Sequence, residues 1–330
     1  MWPLGVVGED AGVIDFAADR DHVVQGDNLE VLRLLPDESF QLVYIDPPFN
    51  TGGTRQRRTL TAVRDEEGGR TGFRGGRYRS EWSGPMSYPD SFTDYAEFIG
   101  PRLVEARRLL NRSGTLYFHI DWREAHYCKV LLDEVFGRDS FLNEVIWAYD
   151  YGGRARDRWP AKHDTILVYV KEPGEHLFDQ DAITRVPYLA PTLVGPEKAA
   201  RGKLPTDVWW HTIVATGGRE KTGYPNQKPE GVVRRALEPS SRPGDWVLDF
   251  FAGSGTTGAV AAAMGRRFVM VDDNPQAVEV MRRRLDAGRT RFVDATGAAL
   301  TAAGSPPGPP RHPAGQGAFS TLPGNERPRP

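Results

Sequence analysis

The sequence feature that most constrains the fold is a glycine-rich loop between a short apolar strand and a helix, within residues 247–258. Gly253, Gly255 and Gly258 spell G-x-G-x-x-G, and Asp272 ends the next predicted strand, 272 − 253 = 19 residues after the first glycine. In α/β proteins this order places the loop backbone against a nucleotide and the acid against ribose hydroxyls. The pattern therefore predicts a parallel sheet with a nucleoside-binding site, although the loop alone does not identify the nucleotide.

A second group of residues follows the apolar strand predicted at Phe40–Ile45, namely Asp46, Pro47, Pro48 and Phe49. Prolines cannot donate to a strand ladder, so the strand should end at Asp46, at the sheet edge where α/β proteins bind ligands. Asp46 and the Pro47 carbonyl can each accept one hydrogen of an exocyclic amino group, and Phe49 can stack on the heterocycle that carries it. Asp and Pro are also ordinary turn residues, so these residues alone fit a plain turn equally well.

Apolar periodicity predicts alternating strands and helices along most of the chain. The predicted strands are His22–Gly26, Phe40–Ile45, Thr115–Ile120, Glu144–Tyr149, Thr165–Lys171, Trp246–Phe250 and Arg267–Val271. The predicted helices are Leu29–Leu35, Asp94–Leu110, Arg123–Phe136, Pro229–Leu237, Thr256–Met264 and Pro275–Leu285. Two segments interrupt this alternation: Thr51–Ser91 is predicted to be a long Gly- and Arg-rich loop, and residues 173–223 are predicted to be irregular.

Composition excludes several classes of protein. A length of 330 residues with 39% hydrophobic content supports one large α/β domain or two smaller ones. The chain has no apolar run of about 18 residues and no signal pattern, which predicts a cytoplasmic protein that does not span a membrane. Its single cysteine, Cys128, excludes a disulfide framework and is predicted to be a buried apolar residue. The histidines lack metal-ligand spacing, so we predict no metal.

The net charge of −2 conceals two basic segments. Residues 51–81 hold eight arginines and four acidic residues, 8 − 4 = +4, and a basic, aromatic segment follows at residues 151–162. Scattered arginines are most often solvated loop charges. Next to the strand that ends at Asp46, however, they suit contact with the phosphates of a nucleic acid and readout of guanine. The candidates for this contact are Arg55, Arg57, Arg58, Arg74, Arg77, Arg79, Arg154, Arg156, Arg158 and Lys162.

Taken together, the two groups of residues resemble the amino-methyltransferases of DNA, in the group whose catalytic tetrapeptide precedes the motif for S-adenosylmethionine (SAM). The residues 46–49 match the family's catalytic Asp-Pro-Pro-Tyr or Asp-Pro-Pro-Phe motif, and residues 251–255 match its Phe-x-Gly-x-Gly motif. The resemblance covers roughly residues 20–290 with the motifs in order. It implies catalytic roles for Asp46, Pro47, Pro48 and Phe49. The cofactor-binding residues that it implies are Asp27, Lys228, Pro229, Asp249, Phe251, Ala252, Gly253, Ser254, Gly255, Thr256 and Asp272.

Within this set the resemblance implies particular roles. Asp272 resembles the family's ribose-binding acid, with Asp273 as a less favoured neighbour, and residues 224–230 resemble the segment that helps to hold the methionine end of SAM. Gly26 and Asp27 resemble a pair near the adenine of SAM, although Asp27 also fits a helix N-cap with no further role.

The order of the motifs implies a Rossmann-like α/β fold with a circularly permuted, mixed, seven-stranded sheet, in which the C-terminal strands pair beside the N-terminal ones. The long insert after Asn50 departs from the family pattern and leaves the target sequence open. The expected regions are an N-terminal extension (1–20), a catalytic half (21–150) with a basic DNA-contacting insert (51–91), a target-recognition region (151–223), a SAM-binding half (224–294) and a disordered tail (295–330).

The resemblance implies transfer of a methyl group from SAM to the N6 amino group of an adenine flipped out of double-stranded DNA and stacked on Phe49. The rivals are cytosine-N4 methylation, a nicotinamide- or flavin-dependent oxidoreductase and a non-enzymatic DNA-binding module. Cytosine members of the family usually have Ser where this chain has Asp46, so aspartate favours adenine. The sequence leaves open a cognate restriction enzyme or other defence-system partner, and a monomeric or homodimeric state.

Four further residues have both a structural and a functional interpretation. His119 and Asp121 end a strand beside the proposed site, and we favour a hydrogen-bonded structural role for His119. For Trp209 and Trp210 we favour packing over base stacking.

Overall fold

The computed structural model describes residues 14–18, 20–50, 94–153, 155–215 and 217–300, together with the backbone of residues 55–64, 70–71 and 77–88. The strands are β1 (Asp21–Gln25), β2 (Phe40–Ile45), β3 (Arg55–Arg64), β4 (Arg70–Thr71), β5 (Arg77–Tyr88), β6 (Leu110–Ile120), β7 (Phe141–Ala148), β8 (His163–Val170), β9 (Val208–Trp210), β10 (Trp246–Asp249), β11 (Arg267–Asp272) and β12 (Thr290–Asp294). The α-helices are α1 (Asn28–Leu34), α2 (Tyr95–Leu109), α3 (Ala125–Phe136), α4 (Pro196–Arg201), α5 (Glu230–Ser240), α6 (Thr256–Ala263) and α7 (Pro275–Arg284).

Nine of these strands form one mixed sheet in the order β12-β1-β11-β10-β2-β6-β8-β7-β9. The strands from β12 to β6 run parallel, whereas β8 is antiparallel to both of its neighbours, β6 and β7. The C-terminal strands thus lie beside the N-terminal ones, as predicted. A circular permutation in evolution stays a prediction, because strand order alone does not show it.

The predicted number of seven strands in the sheet was wrong, because β9 and β12 add to it. Strand β9 has only three residues, within a segment that carries no alternating pattern, and pairs with β7 at the sheet edge. Strand β12 follows α7 after a short turn and pairs with β1. The three residues of β9 are too few for periodicity to reveal it, and β12 holds only two apolar residues, Phe292 and Val293.

The prediction of a loop at Thr51–Ser91 was also wrong for part of that segment. Strands β3, β5 and β4 form a separate antiparallel sheet, with Arg55 opposite Tyr88 and Arg64 opposite Tyr78. The arginines and glycines of the insert dominate its composition, but Thr, Val, Tyr and Trp residues lie between them. These β-branched and aromatic residues favour strands even where the average composition indicates a loop.

The α-helices other than α4 bury apolar faces, and α1, α2 and α7 begin at a residue whose side chain caps the helix. Asp27 caps α1 by accepting from the Glu30 N–H at 3.1 Å, and Asp94 caps α2 by accepting from the Glu97 N–H at 3.1 Å. Helices α1, α2 and α3 pack in series, and α5 packs against α6. Cys128 is buried on α3, as predicted.

The described part of the C-terminal region continues beyond β12. The Asp294 N–H donates to the Ala298 carbonyl at 2.9 Å, and Val293 and Ala299 form an isolated bridge. The predicted disordered tail therefore begins with a turn, and its residues 301–330 lie outside the described residues. In the described part of the chain, no helix is both long enough and apolar enough to cross a membrane.

The parallel arrangement places the carboxyl ends of β1, β2, β10 and β11 at one edge of the sheet. Each of these strands is followed there by a polar residue or a glycine loop, which brings the two groups of sequence motifs to the same place. This edge holds the candidate site.

Candidate active site

A cavity of about 240 Å³ lies at the carboxyl ends of the central parallel strands. All of the predicted catalytic and cofactor residues line it except Pro229 and Gly255. The structure therefore brings together two segments separated by about two hundred residues of sequence, as their order in the parallel sheet requires. Lining residues that the sequence analysis did not single out include Asn28, Tyr44, Phe98, Arg102 and Asn274.

The glycine loop after β10 depends on two residues with left-handed backbone conformations. Gly253 has φ +49° and Gly255 has φ +72°, which side chains other than glycine adopt only with strain. A Cβ atom on Gly255 would lie 2.6 Å from the Met281 Cγ, and one on Gly253 would lie 3.2 Å from a ring carbon of Tyr224. Although Gly255 does not line the cavity, it allows α6 to begin in close contact with α7.

Asp272, at the end of β11, holds this loop as well as lining the cavity. Its Oδ2 accepts from the Gly253 N–H at 2.7 Å, and its Oδ1 accepts from the Asn274 N–H at 3.0 Å. Burial raises the pKa of Asp272 to about 6, although these backbone hydrogen bonds oppose the shift. The neighbouring Asp273 is exposed and also lines the cavity.

Asp249, at the end of β10, ties the strand to the loop and to the first turn of α6. Its Oδ1 accepts from the Phe251 N–H at 3.0 Å, and its Oδ2 accepts from the Thr257 hydroxyl at 2.7 Å. Burial, reinforced by the charges of Asp46 and Asp272, raises the pKa of Asp249 to about 7. These two hydrogen bonds fix the glycine loop and the first turn of α6 to the end of β10.

Arg102 of α2 joins the first helix to the glycine loop. Its Nε donates to the Asn28 Oδ1 at 2.6 Å, and the Asn28 amide donates to the Phe250 carbonyl at 2.7 Å. Arg102 also lies 3.4 Å from the Asp27 carboxylate, and burial lowers the pKa of its guanidinium. Asp27 is therefore both the N-cap of α1 and a wall of the cavity. The signal for Arg102 was its position four residues after Phe98, which places a charged side chain on the same helix face as an aromatic one.

The turn that follows β2 is held at three points. The Asp46 Oδ2 lies 2.6 Å from the Lys228 Nζ, the Pro48 carbonyl accepts from the Tyr95 hydroxyl at 2.8 Å, and the Asn50 amide donates to Glu124 at 2.8 Å. In the described part of the chain, the buried Oδ1 of Asp46 has no hydrogen-bond partner. No donor among the described residues contacts the Pro47 carbonyl either. The two acceptors that the sequence predicted are thus unoccupied by the described residues.

A buried polar chain lies beside the Asp46–Phe49 turn. His119 accepts or donates through both ring nitrogens, Nδ1 to the Tyr44 hydroxyl at 2.9 Å and Nε2 to the Asp164 Oδ2 at 3.2 Å, and the Tyr149 hydroxyl donates to the Asp164 Oδ1 at 3.1 Å. The His119 ring lies 5.9 Å from the Phe49 ring. The hydrogen-bonded, structural interpretation of His119 is confirmed. Neither His119 nor Asp121 lines the cavity.

Replacing Asp164 by alanine should destabilise the protein by about 3 kcal/mol, because the His119 ring and the Tyr149 hydroxyl would lose a buried charged partner. Burial would raise the pKa of Asp164, but His119, the charge of Lys228 and the hydrogen bond from Tyr149 outweigh it and hold this pKa below the ordinary value of 3.8. The stabilisation is therefore present above pH 3.8 and is lost as the pH falls through the lower, folded-state pKa. Denaturant unfolding at pH 7 and in acid measures both effects.

The matched control for this prediction is Asp157→Ala. Asp157 forms an exposed ion pair with Arg158 at 3.7 Å, so its replacement should change the free energy of unfolding by less than about 1 kcal/mol. Equal losses in the two variants would contradict the role of the buried chain.

The candidates for contact with DNA lie partly in the insert after Asn50 and partly in the exposed loop before β8. Arg55, Arg57, Arg58, Arg77 and Arg79 lie in β3 and β5, whose side chains are not described, while Arg74 and Arg154 lie outside the described residues. Arg156 and Arg158 are exposed, and Trp159 between Arg158 and Pro160 is 95% exposed. The Lys162 Nζ donates to the carbonyls of Tyr151 and Gly152 at 2.8 and 2.9 Å, which holds this loop together.

The two adjacent tryptophans of β9 differ in their surroundings. Trp209 is buried, which confirms the expected packing role, whereas Trp210 is 69% exposed, so that expectation was wrong for Trp210. Alternation along the strand explains the difference, since neighbouring side chains point to opposite faces of a sheet. In the described part of the chain, no group of three or more His, Cys, Asp or Glu side chains is placed to hold a metal ion.

Comparison with known proteins gives matches of sequence and of fold. The family model of N6/N4 DNA methylases matches residues 40–283. DNA adenine methyltransferase YhdJ of Escherichia coli K12 is 28% identical over 284 residues, which are 82% of this chain and 84% of that protein. The type II methyltransferase M.HpaI of Haemophilus parainfluenzae is 30% identical over 263 residues, which are 78% of this chain and 72% of that protein.

A solved structure with the same fold is that of the PvuII DNA methyltransferase, described as cytosine-N4-specific. It superimposes with a TM-score of 0.54 at 15% identity and covers 84% of this chain and 95% of that chain. The fold of the present chain is accordingly the Rossmann-like α/β fold of DNA methyltransferases. Since the family model spans both the Asp46–Phe49 turn and the glycine loop, which meet in one cavity, this chain belongs to the N6/N4 DNA methylase family.

Proposed function

We propose that this chain transfers a methyl group from SAM to the N6 amino group of an adenine flipped out of double-stranded DNA. The observation that carries the proposal is the shared cavity, which has the Asp46–Phe49 turn and the Phe251–Thr256 loop in its walls. A methyl donor held by the loop and a base held by the turn would meet there. Methyl transfer between them needs mainly positioning and favourable electrostatics.

The residues around the loop fit SAM by their chemistry. Gly253 has no side chain between the loop backbone and a ligand in the cavity. A Cβ atom there would lie 3.2 Å from the Tyr224 ring, so the space beside this backbone is narrow. Asp272 and Asp273 place carboxylates at the end of β11, where ribose hydroxyls would find acceptors, and Asp27 lines the same cavity. When bound, SAM would supply a methyl group activated by its sulfonium charge.

The Asp46–Phe49 turn supplies two hydrogen-bond acceptors that can make an aromatic amino group a better nucleophile. The lone pair of such a nitrogen is delocalised into the ring, which makes it a poor nucleophile. If the Asp46 carboxylate and the Pro47 carbonyl each accept one amino hydrogen, the nitrogen becomes pyramidal and its lone pair is free to attack the methyl carbon. As the bond between the methyl carbon and the sulfur of SAM breaks, S-adenosylhomocysteine would leave and Asp46 would offset the positive charge that the nitrogen gains. The surplus proton would then pass by way of Asp46 to solvent.

Access to the amino group requires the base to leave the duplex, because the stacked base cannot reach a turn inside a cavity. Phe49 lies in the wall of the cavity and offers a ring on which the flipped base can stack. The exposed residues Arg156, Arg158 and Trp159 suit the phosphates and bases of distorted double-stranded DNA. The arginines of the insert are proposed to contact DNA in the same way.

Adenine is the proposed base, and cytosine is the second candidate. YhdJ is named as an adenine methyltransferase, and Asp46 stands where cytosine members of the family usually have Ser. The fold is shared with a cytosine-N4 enzyme, so fold does not separate the two bases. M.HpaI is named as a type II methyltransferase, which favours a cognate restriction enzyme as a partner of this chain as well.

The test is mass spectrometry of nucleosides from the DNA of cells that express this protein and lack other DNA methylation. We expect N6-methyladenine to rise over cells that carry an empty vector. A rise in N4-methylcytosine instead would keep the chemistry and overturn the choice of base. If a folded, SAM-binding protein produced neither nucleoside, double-stranded DNA would not be its substrate.

A further inference from the structure

Lys228 stands between the two halves of the proposed site. The family resemblance groups it with residues that hold the methionine end of SAM, but its ammonium group contacts Asp46 and Phe49. We infer that Lys228 is a positioning residue for the catalytic carboxylate of Asp46. This inference rests on the proposed function, because it assigns to Lys228 a role in the same methyl-transfer reaction.

The first observation is the position of the ammonium group. The Lys228 Nζ lies 2.6 Å from the Asp46 Oδ2 and 4.6 Å from the centre of the Phe49 ring. Both side chains of the ion pair are largely buried, with 11% of Lys228 and 19% of Asp46 exposed. A charge-assisted hydrogen bond in partly desolvated surroundings is among the stronger polar contacts in proteins. The ammonium group thus contacts both chemically important side chains of the turn.

The second observation is the anchoring of the Lys228 backbone. Its carbonyl accepts from the Thr256 hydroxyl at 3.2 Å, at the first residue of α6. The same hydroxyl oxygen accepts from the Arg284 guanidinium at 3.0 Å, and Arg284 also pairs with Glu230 at 2.7 Å. The main chain of Lys228 is therefore fixed to the glycine-loop side of the cavity, while its side chain reaches the Asp46–Phe49 turn, where the base is proposed to bind.

The consequence is a defined orientation of the catalytic carboxylate. A carboxylate at the end of a short side chain can rotate, and only some rotations aim an oxygen at an incoming amino group. Lys228 holds Oδ2, which leaves Oδ1 as the oxygen without a partner in the described part of the site. Because Lys228 is anchored beside the glycine loop, it sets the direction of Asp46 relative to the place from which the methyl group arrives. Methyl transfer is sensitive to such alignment.

The test is Lys228→Met, with two separate measurements. Calorimetry measures the dissociation constant of SAM, and single-turnover transfer of labelled methyl groups to unmethylated plasmid DNA at saturating SAM measures the rate. We expect the rate to fall about 100-fold, as for a misplacement of about 1 Å. The dissociation constant of SAM should change by less than about threefold, since only the alignment of Asp46 is lost. Lys228→Arg should restore much of the rate, because arginine keeps the charge and the donors.

The chain offers a matched control in Lys129. Its Nζ lies 2.7 Å from the Asp133 Oδ1 and 4.2 Å over the Phe141 ring, the same pairing of carboxylate and aromatic ring, but away from the cavity. Lys129→Met should leave both the rate and the affinity for SAM at the wild-type values. An equal loss of rate in Lys129→Met would overturn the inference, because the loss would then reflect general destabilisation.

A role of Lys228 in holding SAM would give a different result in the same two measurements. If Lys228→Met weakened SAM binding at least about tenfold and kept the wild-type rate at saturating SAM, Lys228 would hold the cofactor and not Asp46. If Lys228→Met failed to fold, Lys228→Gln, which keeps a donor but no charge, would be judged by the same two measurements. Failure of the proposed function itself would show as absence of transfer by the wild-type protein, which is independent of any Lys228 variant.

Discussion

Replacing Asp46 by alanine should reduce methyl transfer by at least about 1,000-fold while the protein still binds SAM. Asp46 follows β2 at the edge of the cavity and provides the buried Oδ1, to which no described residue donates a hydrogen bond. Its removal takes away the proposed acceptor for an amino hydrogen and the negative charge that would offset the cation formed on the nitrogen. The measurement is single-turnover transfer at saturating SAM, together with calorimetric titration of SAM.

The isosteric variant Asp46→Asn separates charge from shape. Asparagine fills the same volume, but one of its two terminal groups is a donor, which faces either the Lys228 ammonium or the incoming amino group. In both orientations the site loses an acceptor and a charge, so the rate should fall nearly as far as in Asp46→Ala. A variant with Asn that keeps more than about a tenth of the rate would show that the charge of Asp46 is unimportant.

Asp37→Ala is the control for both variants. Asp37 is exposed and precedes β2 at the end of the strand away from the cavity, where it pairs with Arg108. This variant should keep the wild-type rate and affinity for SAM. If Asp46→Ala abolished SAM binding as well, the loss of activity would no longer identify Asp46 as a catalytic residue.

The parts of the site that the sequence predicted share one property. Asp46, Asp249 and Asp272 each follow or end an apolar strand, so their position at the carboxyl edge of the sheet follows from the strand pattern alone. The glycine spacing adds the loop between β10 and α6. These features can be read from short stretches of sequence. Because the carboxyl ends of parallel strands lie at one edge of the sheet, residues at several strand ends meet in one site.

The parts that the sequence did not predict depend on contacts between distant segments. Tyr44, His119 and Asp164 form a polar chain across three strands. A hydrogen-bonded role of His119 was predicted, but its partners were not, because Tyr44 lies in an apolar run and Asp164 lies just before one. Arg102 reaches Asn28 across the packing of α2 on α1. Such pairs are fixed only when the register of the strands and the packing of the helices are known.

The insert after Asn50 shows a different reason for error. Its average composition is rich in Gly and Arg, which indicates a loop, but β3 and β5 pair over most of their length. Pairing depends on the alternation of individual residues and on a partner strand within reach, and neither enters an average composition. For the proposed contact with DNA, the order of its arginines along two paired strands is therefore more informative than their number.

Replacing Gly255 by alanine should weaken SAM binding at least about tenfold, because a shifted loop would lose hydrogen bonds to the ligand that are each worth about 1 kcal/mol. The new Cβ would lie 2.6 Å from the Met281 Cγ, and the φ of +72° is strained for alanine. Left-handed strain of about 1–2 kcal/mol and overpacking of about 1–3 kcal/mol together predict a loss of about 3 kcal/mol in the free energy of unfolding. Denaturant unfolding and calorimetry check the two values.

Two further variants separate strain from steric contact. Gly244 has φ +91°, and a Cβ atom added there would meet no atom within 4 Å, so Gly244→Ala should show the strain alone, about 1–2 kcal/mol, with unchanged affinity for SAM. In the double variant Gly255→Ala/Met281→Ala, the methyl group at position 255 occupies space that the shortened side chain vacates. The two substitutions should therefore destabilise the protein by less than the sum of their separate effects. Simple additivity would mean that contact with Met281 is not the reason why this position requires glycine.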